Sequence, residues 1–450
     1  MEVTSTIAEF AAGLRFEQIP EAAIGTAKTA VRDCLSVALA GSKEQDAKIC
    51  AEIARQEDAR QESSVYGQGF KSSAIYAAFA NGTAAHAMDF DHSFTLMGQP
   101  TAPIIPATFA LGEALGASGS RTVEAYVAGF EATAKLVGSL RDATQDGWHA
   151  PGNLGVFGAG VACAKLLGLN VSQIQMVLGI VASMAGGVVA NFGTMTKPLH
   201  VGLAARSGVT AAKLAQAGFT ANPQAIEAGV GFYHAFYHGS PVDSRPIEEL
   251  GKSYALETDG IRVKPYPCGG LTHPTIDAAL ELCARHRITA DMIDSVEAAV
   301  TKNTYDRIAF RVPQAGVQGR FCMPYLLARA IIDGRVGLDI FTDEAVREPN
   351  ILRLGEKIEM RLDPSLRASS PGGRPCRVTM RLKNGATYSC EKEHAKGSPE
   401  VPMTEEELGA KFTDCARQTL SAEDTERARE FIERLDTLTD IRPLCQLLRG

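Results

Sequence analysis

The chain has 450 residues, with 45 Lys and Arg against 52 Asp and Glu, for a formal net charge of −7. That balance excludes a nucleic-acid binder working through bulk positive charge, while 45% hydrophobic and 22% charged residues exclude whole-chain disorder and allow a large core. Length alone allows two or three domains. No run reaches the ~18–20 apolar residues that a membrane span needs. The opening Met-Glu-Val-Thr-Ser-Thr carries no basic segment leading into an apolar run, so a cytoplasmic protein without membrane partners is expected. The ten cysteines come no closer than Cys376 and Cys390. Without a C-x-x-C pair they are read as reduced and mostly buried, not as zinc or iron–sulfur ligands.

From Ile19 to about Ala221 the sequence reads as successive Ala- and Gly-rich helices with little of the alternation that marks strands. One opens at Pro20 and places Ile24, Ala27, Val31, Cys34, Leu35 and Ala38 on one face, at spacings of three and four. Two more follow the rule of proline at the start and glycine past the end, from Pro151 to before Gly168 and from Pro198 to before Gly218. Gly152, Gly155, Gly158 and Gly160 lie within the first of these. They are read as close helix packing, because the order is not G-x-G-x-x-G and no strand precedes it.

Composition shifts near Lys264. Strands are expected at 295–301, 357–363 and 377–392, the last turning at Lys383-Asn384-Gly385, where an Asn-Gly pair accepts positive φ. Helices are expected near 272–286, 324–332 and 422–435, with loops at 369–375 and 396–402. The expected fold is mainly α: a large all-helical domain, residues 1–263 completed by 403–450, and a smaller α+β domain, residues 264–402.

Unusual polar residues fall at element boundaries. Asp89, Asp91, His92 and Ser93 end an Ala-rich stretch, His149 stands two places before Pro151, and Lys197 and Lys264 each immediately precede a proline. A helix start offers unpaired N–H groups and a positive dipole end, so Lys197 beside Thr194 and Thr196 makes a carboxylate or phosphate seat to which Lys264 adds charge. Either lysine is equally readable as solvated surface, and His149 as a ring bonded to a backbone carbonyl. Asp89, Asp91 and His92 are of ligand type for a divalent metal, but with no second histidine motif capping is preferred and no metal is assigned. His234 and His238 have metal-like spacing but read better as an amphipathic face among aromatics. Cys268 is a candidate proton donor or nucleophile, with a buried bystander thiol preferred.

The segments MDFDHS (88–93), GWHAPG (147–152), TKPLHVG (196–202), VKPYPCGGLTHP (263–274) and RFCMPY (320–325) resemble those of the MmgE/PrpD family, which includes 2-methylcitrate dehydratase, cis-aconitate decarboxylase and iminodisuccinate epimerase. The resemblance runs in order over nearly the whole chain. It implies a helical domain with an α+β lid, a homodimer, and a cofactor-independent enzyme acting on a small di- or tricarboxylate. It also implies a cleft lined by Asp89, Asp91, Ser93, His149, Lys197, His200, Lys264 and Tyr325, with His273 nearby and Gln99 and Cys268 at substrate-facing positions. The dehydratase and decarboxylase branches carry a histidine soon after the Asp-Phe-Asp motif; this chain reads Gly98-Gln99-Pro100 there, and Cys268-Gly269 where those branches differ again. These departures make an epimerase working by proton abstraction α to a carboxylate the expected reaction. A dehydratase or decarboxylase is the alternative, and a catalytically silent carboxylate binder the reading of another class. His149 is the expected base, since imidazole titrates near neutrality. Lys197 is the alternative base or a carboxylate clamp, Lys264 a second clamp, and Tyr325 the proton donor on the opposite face.

Overall fold

A computed structural model describes residues 2–95, 97–140, 147–238, 242–370 and 372–450; residue 371 of the expected 369–375 loop thus lies outside the described residues. The chain divides into two compact units, one of residues 1–261 and 405–450, the other of residues 262–404.

The first unit is helical. Helix Glu21–Gly41 starts after Pro20 and is buried on every side from Ala30 to Gly41, as its run of Ala, Val, Leu and Cys requires of a central helix. That run encloses two charges, Arg32 and Asp33, and helix Glu405–Ala416 packs beside it and supplies partners for both. Arg32 meets Glu405 at 3.0 Å, and Asp33 meets Lys411 at 2.5 Å. The returning tail is thereby anchored by charge as well as by Phe412 and Cys415.

Glycines set the closest helix approaches. The segment expected as one helix from Pro151 forms two, Ala150–Asn153 and Gly155–Leu166. A Cβ on Gly158 would lie 2.4 Å from Thr133 Oγ1, and one on Gly129 would lie 2.4 Å from the Gly158 carbonyl, which is the close packing read from the glycine spacing. Helices Ala74–His86 and Thr196–Gln216 cross in the same way at Gly82 and Gly202: a Cβ on Gly82 would sit 3.0 Å from the Gly202 Cα. This crossing brings the end of the first helix beside the start of the second.

The second unit carries a four-stranded sheet in the order Ile358–Leu362, Ile293–Val300, Cys376–Leu382, Thr387–Lys392. The first pair is parallel and the others antiparallel. Helices His273–His286 and Met323–Asp333 pack on it, burying Ile276, Leu282, Leu326 and Leu327 against Val296, Val378 and Met380. The hairpin lies where Asn384-Gly385 placed it, but its turn differs from the expected one. Only Gly385 has positive φ, at 87°. Gly385 N–H donates to Leu382 O (2.9 Å) and Leu382 N–H to Ala386 O (2.8 Å), the bonding of a type I turn closed by a glycine bulge.

Two further readings change. A two-stranded ribbon, Ser63–Val65 with Phe70–Ser72, interrupts the helical region. His234 lies in helix Phe232–Tyr237, whereas His238 follows it at φ 53°, so the two exposed rings share no helical face. All ten cysteines are free, nine of them buried. Among the described residues no helix is long and apolar enough to cross a membrane.

Candidate active site

The helical unit brings together Asp89, Asp91, Gln99, His149, Lys197 and His200 of the expected residues, and adds one that the sequence reading missed, His86. Helix Ala74–His86 ends at this histidine, and the chain reverses through Asp89, whose φ of 51° is left-handed. Asp and Asn tolerate that region better than other residues with a Cβ, though at some cost. The reversal turns Asp91 back onto the helix end, where both carboxylate oxygens lie 3.0 Å from His86 Nδ1.

From the crossing helix, Lys197 and His200 project one turn apart. Lys197 Nζ donates to Asp89 Oδ1 at 2.8 Å, and half-buried Gln99 donates to the same oxygen at 3.4 Å. Lys197 is 7% exposed, which removes the solvated-surface reading. The backbone of His149 is fixed by a short bridge: His149 N–H donates to Gly187 O (2.9 Å) and Val189 N–H to Gly147 O (2.8 Å). Its ring contacts His200 rather than a backbone carbonyl, with the two Nδ1 atoms 3.1 Å apart. Gly187, at φ 103°, lies against the His200 ring, where a Cβ would come within 3.0 Å of Cγ. Phe192 meets His149 edge-on at 5.0 Å between centroids.

Two Nδ1 atoms in hydrogen-bond contact share one proton between them, so the His149–His200 pair resists double protonation. Burial pushes the His149 pKa well below its ordinary value, and the positive charge of His86, Lys197 and His200 adds to this against the opposing pull of Asp89. His200 is lowered for the same reasons, burial first, then His86 and Lys197. The site thus presents buried imidazole lone pairs beside a buried ammonium, a combination able to move a proton while holding a carboxylate.

His92 departs from the expected group. Its Nδ1 lies 2.8 Å from Asp33 Oδ2, to which its backbone N–H also donates at 2.8 Å, and its Nε2 meets Thr101 Oγ1 at 2.7 Å. It is a core residue tied to a carboxylate 59 positions away. Burial alone would raise the Asp33 pKa, but Lys411 and His92 hold it well below the usual carboxylate range. Ser93 is buried in the same segment. The described residues with metal-ligand geometry are therefore His86, Asp89 and Asp91, whose candidate atoms lie within 4.8 Å of one another. Side chains already answer their charge, Lys197 at Asp89 and His86 at Asp91, so a cation there would have to displace the ammonium.

Lys264, Cys268, His273 and Tyr325 belong to the other unit. Lys264 is buried, at 4% exposure. Cys268 is fully buried within that unit's core, its Sγ 3.4 Å from Thr272 Oγ1. His273 Nε2 lies 3.2 Å from the Cys268 carbonyl, and its ring packs edge-on against Tyr266. Tyr325, the expected proton donor, lies in the same unit. Its ring is in the core, its hydroxyl donates to the Ile340 carbonyl and accepts from Arg329 Nε at 3.1 Å, and burial pushes its pKa up to about 12. A hydroxyl so engaged holds its unit together.

The sequence pattern of the MmgE/PrpD N-terminal domain matches residues 5–245 and that of the MmgE/PrpD C-terminal domain residues 266–437. The chain is 28% identical to the cis-aconitate decarboxylase of Mus musculus over 100% of its own length and 93% of that protein's. It is also 28% identical to the Homo sapiens cis-aconitate decarboxylase, over 100% and 95%, and 26% identical to that of Aspergillus terreus, over 99% and 96%.

Proposed function

Because the chain belongs to the MmgE/PrpD family, we propose that it is a lyase that decarboxylates a small unsaturated tricarboxylate of the cis-aconitate type. The observation that carries this reading is the end-to-end match to relatives named for that reaction. It replaces the epimerase expected from the departures at 98–100 and 268–269, since none of these three relatives is named for epimerisation.

The helical unit supplies suitable chemistry. Breaking the bond to a carboxylate releases CO2 and leaves an electron pair that spreads through the adjacent C=C bond into a neighbouring carboxylate. That negative charge needs a fixed cation, and Lys197 is the candidate, positioned by Asp89. Loss of one such donor typically raises a barrier by ~3–4 kcal/mol. The carbon then needs a proton, for which His149 is the candidate. A polyanion arriving beside it opposes the burial and like charges that keep it unprotonated, so a proton taken up with the substrate is available for carbon. Gln99 and Ser93 remain candidates for substrate contact.

Epimerisation is the second reading. Gln99, where the resemblance places a histidine in decarboxylases, is an amide bonded to Asp89 and has no proton to give. Removal and return of a single α-proton asks less of that position.

Incubation in D2O with cis-aconitate, 2-methylcitrate and iminodisuccinate, followed by proton NMR and CO2 capture, tests both. The proposal expects CO2 with new vinylidene signals and one solvent deuterium in the product. Deuterium with inverted configuration and no CO2 establishes the epimerase instead. Saturable binding without turnover contradicts both and leaves a silent carboxylate binder.

A further inference from the structure

His86 takes no part in the steps above, yet its surroundings are unusual. Its side chain is 0% exposed and faces the Asp91 carboxylate, itself 2% exposed. Both Asp91 oxygens lie 3.0 Å from Nδ1. A carboxylate accepts and does not donate, so a proton sits on Nδ1 and the contact fixes the orientation of the ring. The opposite atom, Nε2, is buried with no hydrogen-bond partner among the described residues. A buried polar atom left unpaired costs free energy, and a packing role alone is met by an apolar residue without that cost. What the locked ring faces is His149, with centroids 5.4 Å apart and planes tilted by 32°. His200 bounds the same imidazole through the Nδ1 contact, and Phe192 bounds it edge-on.

We propose that the Asp91–His86 pair is a positioning device for His149: a carboxylate-anchored imidazole that holds the His149 ring in one orientation. The inference deepens the proposed function and rests on reading His149 as the proton-transfer group. His86 is a positioning residue, acting only through its neighbour. The charged and titratable groups around this ring cluster are Asp89 and Asp91 after the end of its own helix, Lys197 and His200 on the crossing helix, and His149 itself. Of these, His86, Lys197 and His200 push the His149 pKa down after burial has done so, while Asp89 opposes them. Removing the His86 ring therefore releases part of that depression.

The test is His86→Asn in the full chain, since the asparagine amide still donates towards Asp91 while the ring facing His149 is gone. With histidine-ring 15N labelling and no substrate present, the His149 titration is expected to move upward; kcat falls tenfold or more with KM little changed. An unmoved His149 titration overturns the proposal, even if thermal stability drops, because packing alone would lower stability without altering that titration. If the variant does not fold, the wild-type spectrum decides. A His86 ring that carries its proton on Nδ1 supports the proposal, and a ring with Nδ1 unprotonated overturns it. Both readouts are made without turnover, so a protein that decarboxylates nothing but shows the His149 shift loses the proposed function and keeps this inference.

Discussion

Gly202→Ala tests whether the helix crossing is what assembles the site. A Cβ there would lie 2.2 Å from Thr83 Oγ1 and 2.5 Å from the Phe79 carbonyl, where ordinary contact begins at 3.4 Å. The threonine hydroxyl can rotate away, but the Phe79 carbonyl belongs to the backbone of helix Ala74–His86, so that helix and Thr196–Gln216 must separate by about 1 Å to restore ordinary contact. Overpacking of this kind costs roughly 1–3 kcal/mol, a loss of a few degrees in Tm for a unit of this size. The same displacement moves Lys197 and His200 relative to Asp89 and His149, and a misplacement of about 1 Å lowers turnover by about 100-fold. Gly82→Ala, on the other side of the crossing, meets its first neighbours at 3.0–3.2 Å and calls for a shift of only tenths of an ångström. The two variants are therefore ordered, with Gly82→Ala mild and Gly202→Ala severe in both Tm and kcat/KM. Differential scanning calorimetry and a CO2-release assay read them in parallel. Wild-type Tm and activity in Gly202→Ala would refute the reasoning.

The remaining predictions concern charge. Lys411→Met leaves Asp33 buried with its two His92 donors but no counter-charge. Breaking a buried pair costs about 3–5 kcal/mol, and urea unfolding is expected to show a loss near the lower figure; the contribution is present above the ordinary carboxyl pKa of ~3.9 and disappears only as pH falls through the depressed folded value. His149 and His200 are held below their ordinary value in the fold, so the unfolded chain binds more protons as pH drops below ~6.5 and stability is lost in that direction. Glu131, pushed up to about 7 by burial despite the opposing hydrogen bonds from the Ala255 and Leu256 N–H groups, slopes the opposite way. The measurement is therefore the stability of wild type minus that of His149→Gln, expected to fall from pH 7.5 to 5.5; a flat difference would contradict it. Activity is expected to survive excess EDTA, and its loss with rescue by a divalent ion would assign a metal to His86, Asp89 and Asp91.

Much of the architecture was legible because it rests on short-range rules. Proline starts and glycine stops marked the helices from Pro20 and Pro198, and Asn384-Gly385 marked the hairpin. The turn type was not legible because Asn-Gly is compatible with both a two-residue turn and a type I turn with a glycine bulge, and only the bonding to Ala386 decides. The ribbon at 63–72 was missed because three-residue strands around Gly67 and Gly69 leave no alternation to read.

The site was legible as a set of residue types but not as a set of contacts. His86 and Asp91 are five apart, a spacing at which helical side chains do not meet; they pair because the chain reverses at Asp89, and no pattern announces a left-handed aspartate. His92, adjacent to Asp91, points instead to Asp33 for the same reason. Tyr325 sits in a motif shared with the family, yet helical periodicity over Met323–Asp333 also fits a core face, which is where the structure puts it.

The most direct measurement is the rate of CO2 release from cis-aconitate by His149→Gln and Lys197→Met against the wild-type protein, with folding of each variant checked by circular dichroism. The account predicts that the wild type turns over and that each folded variant is slower by at least about 100-fold, as expected when a proton-transfer group or a charge-stabilising donor is removed. Wild-type rates in either variant would contradict it.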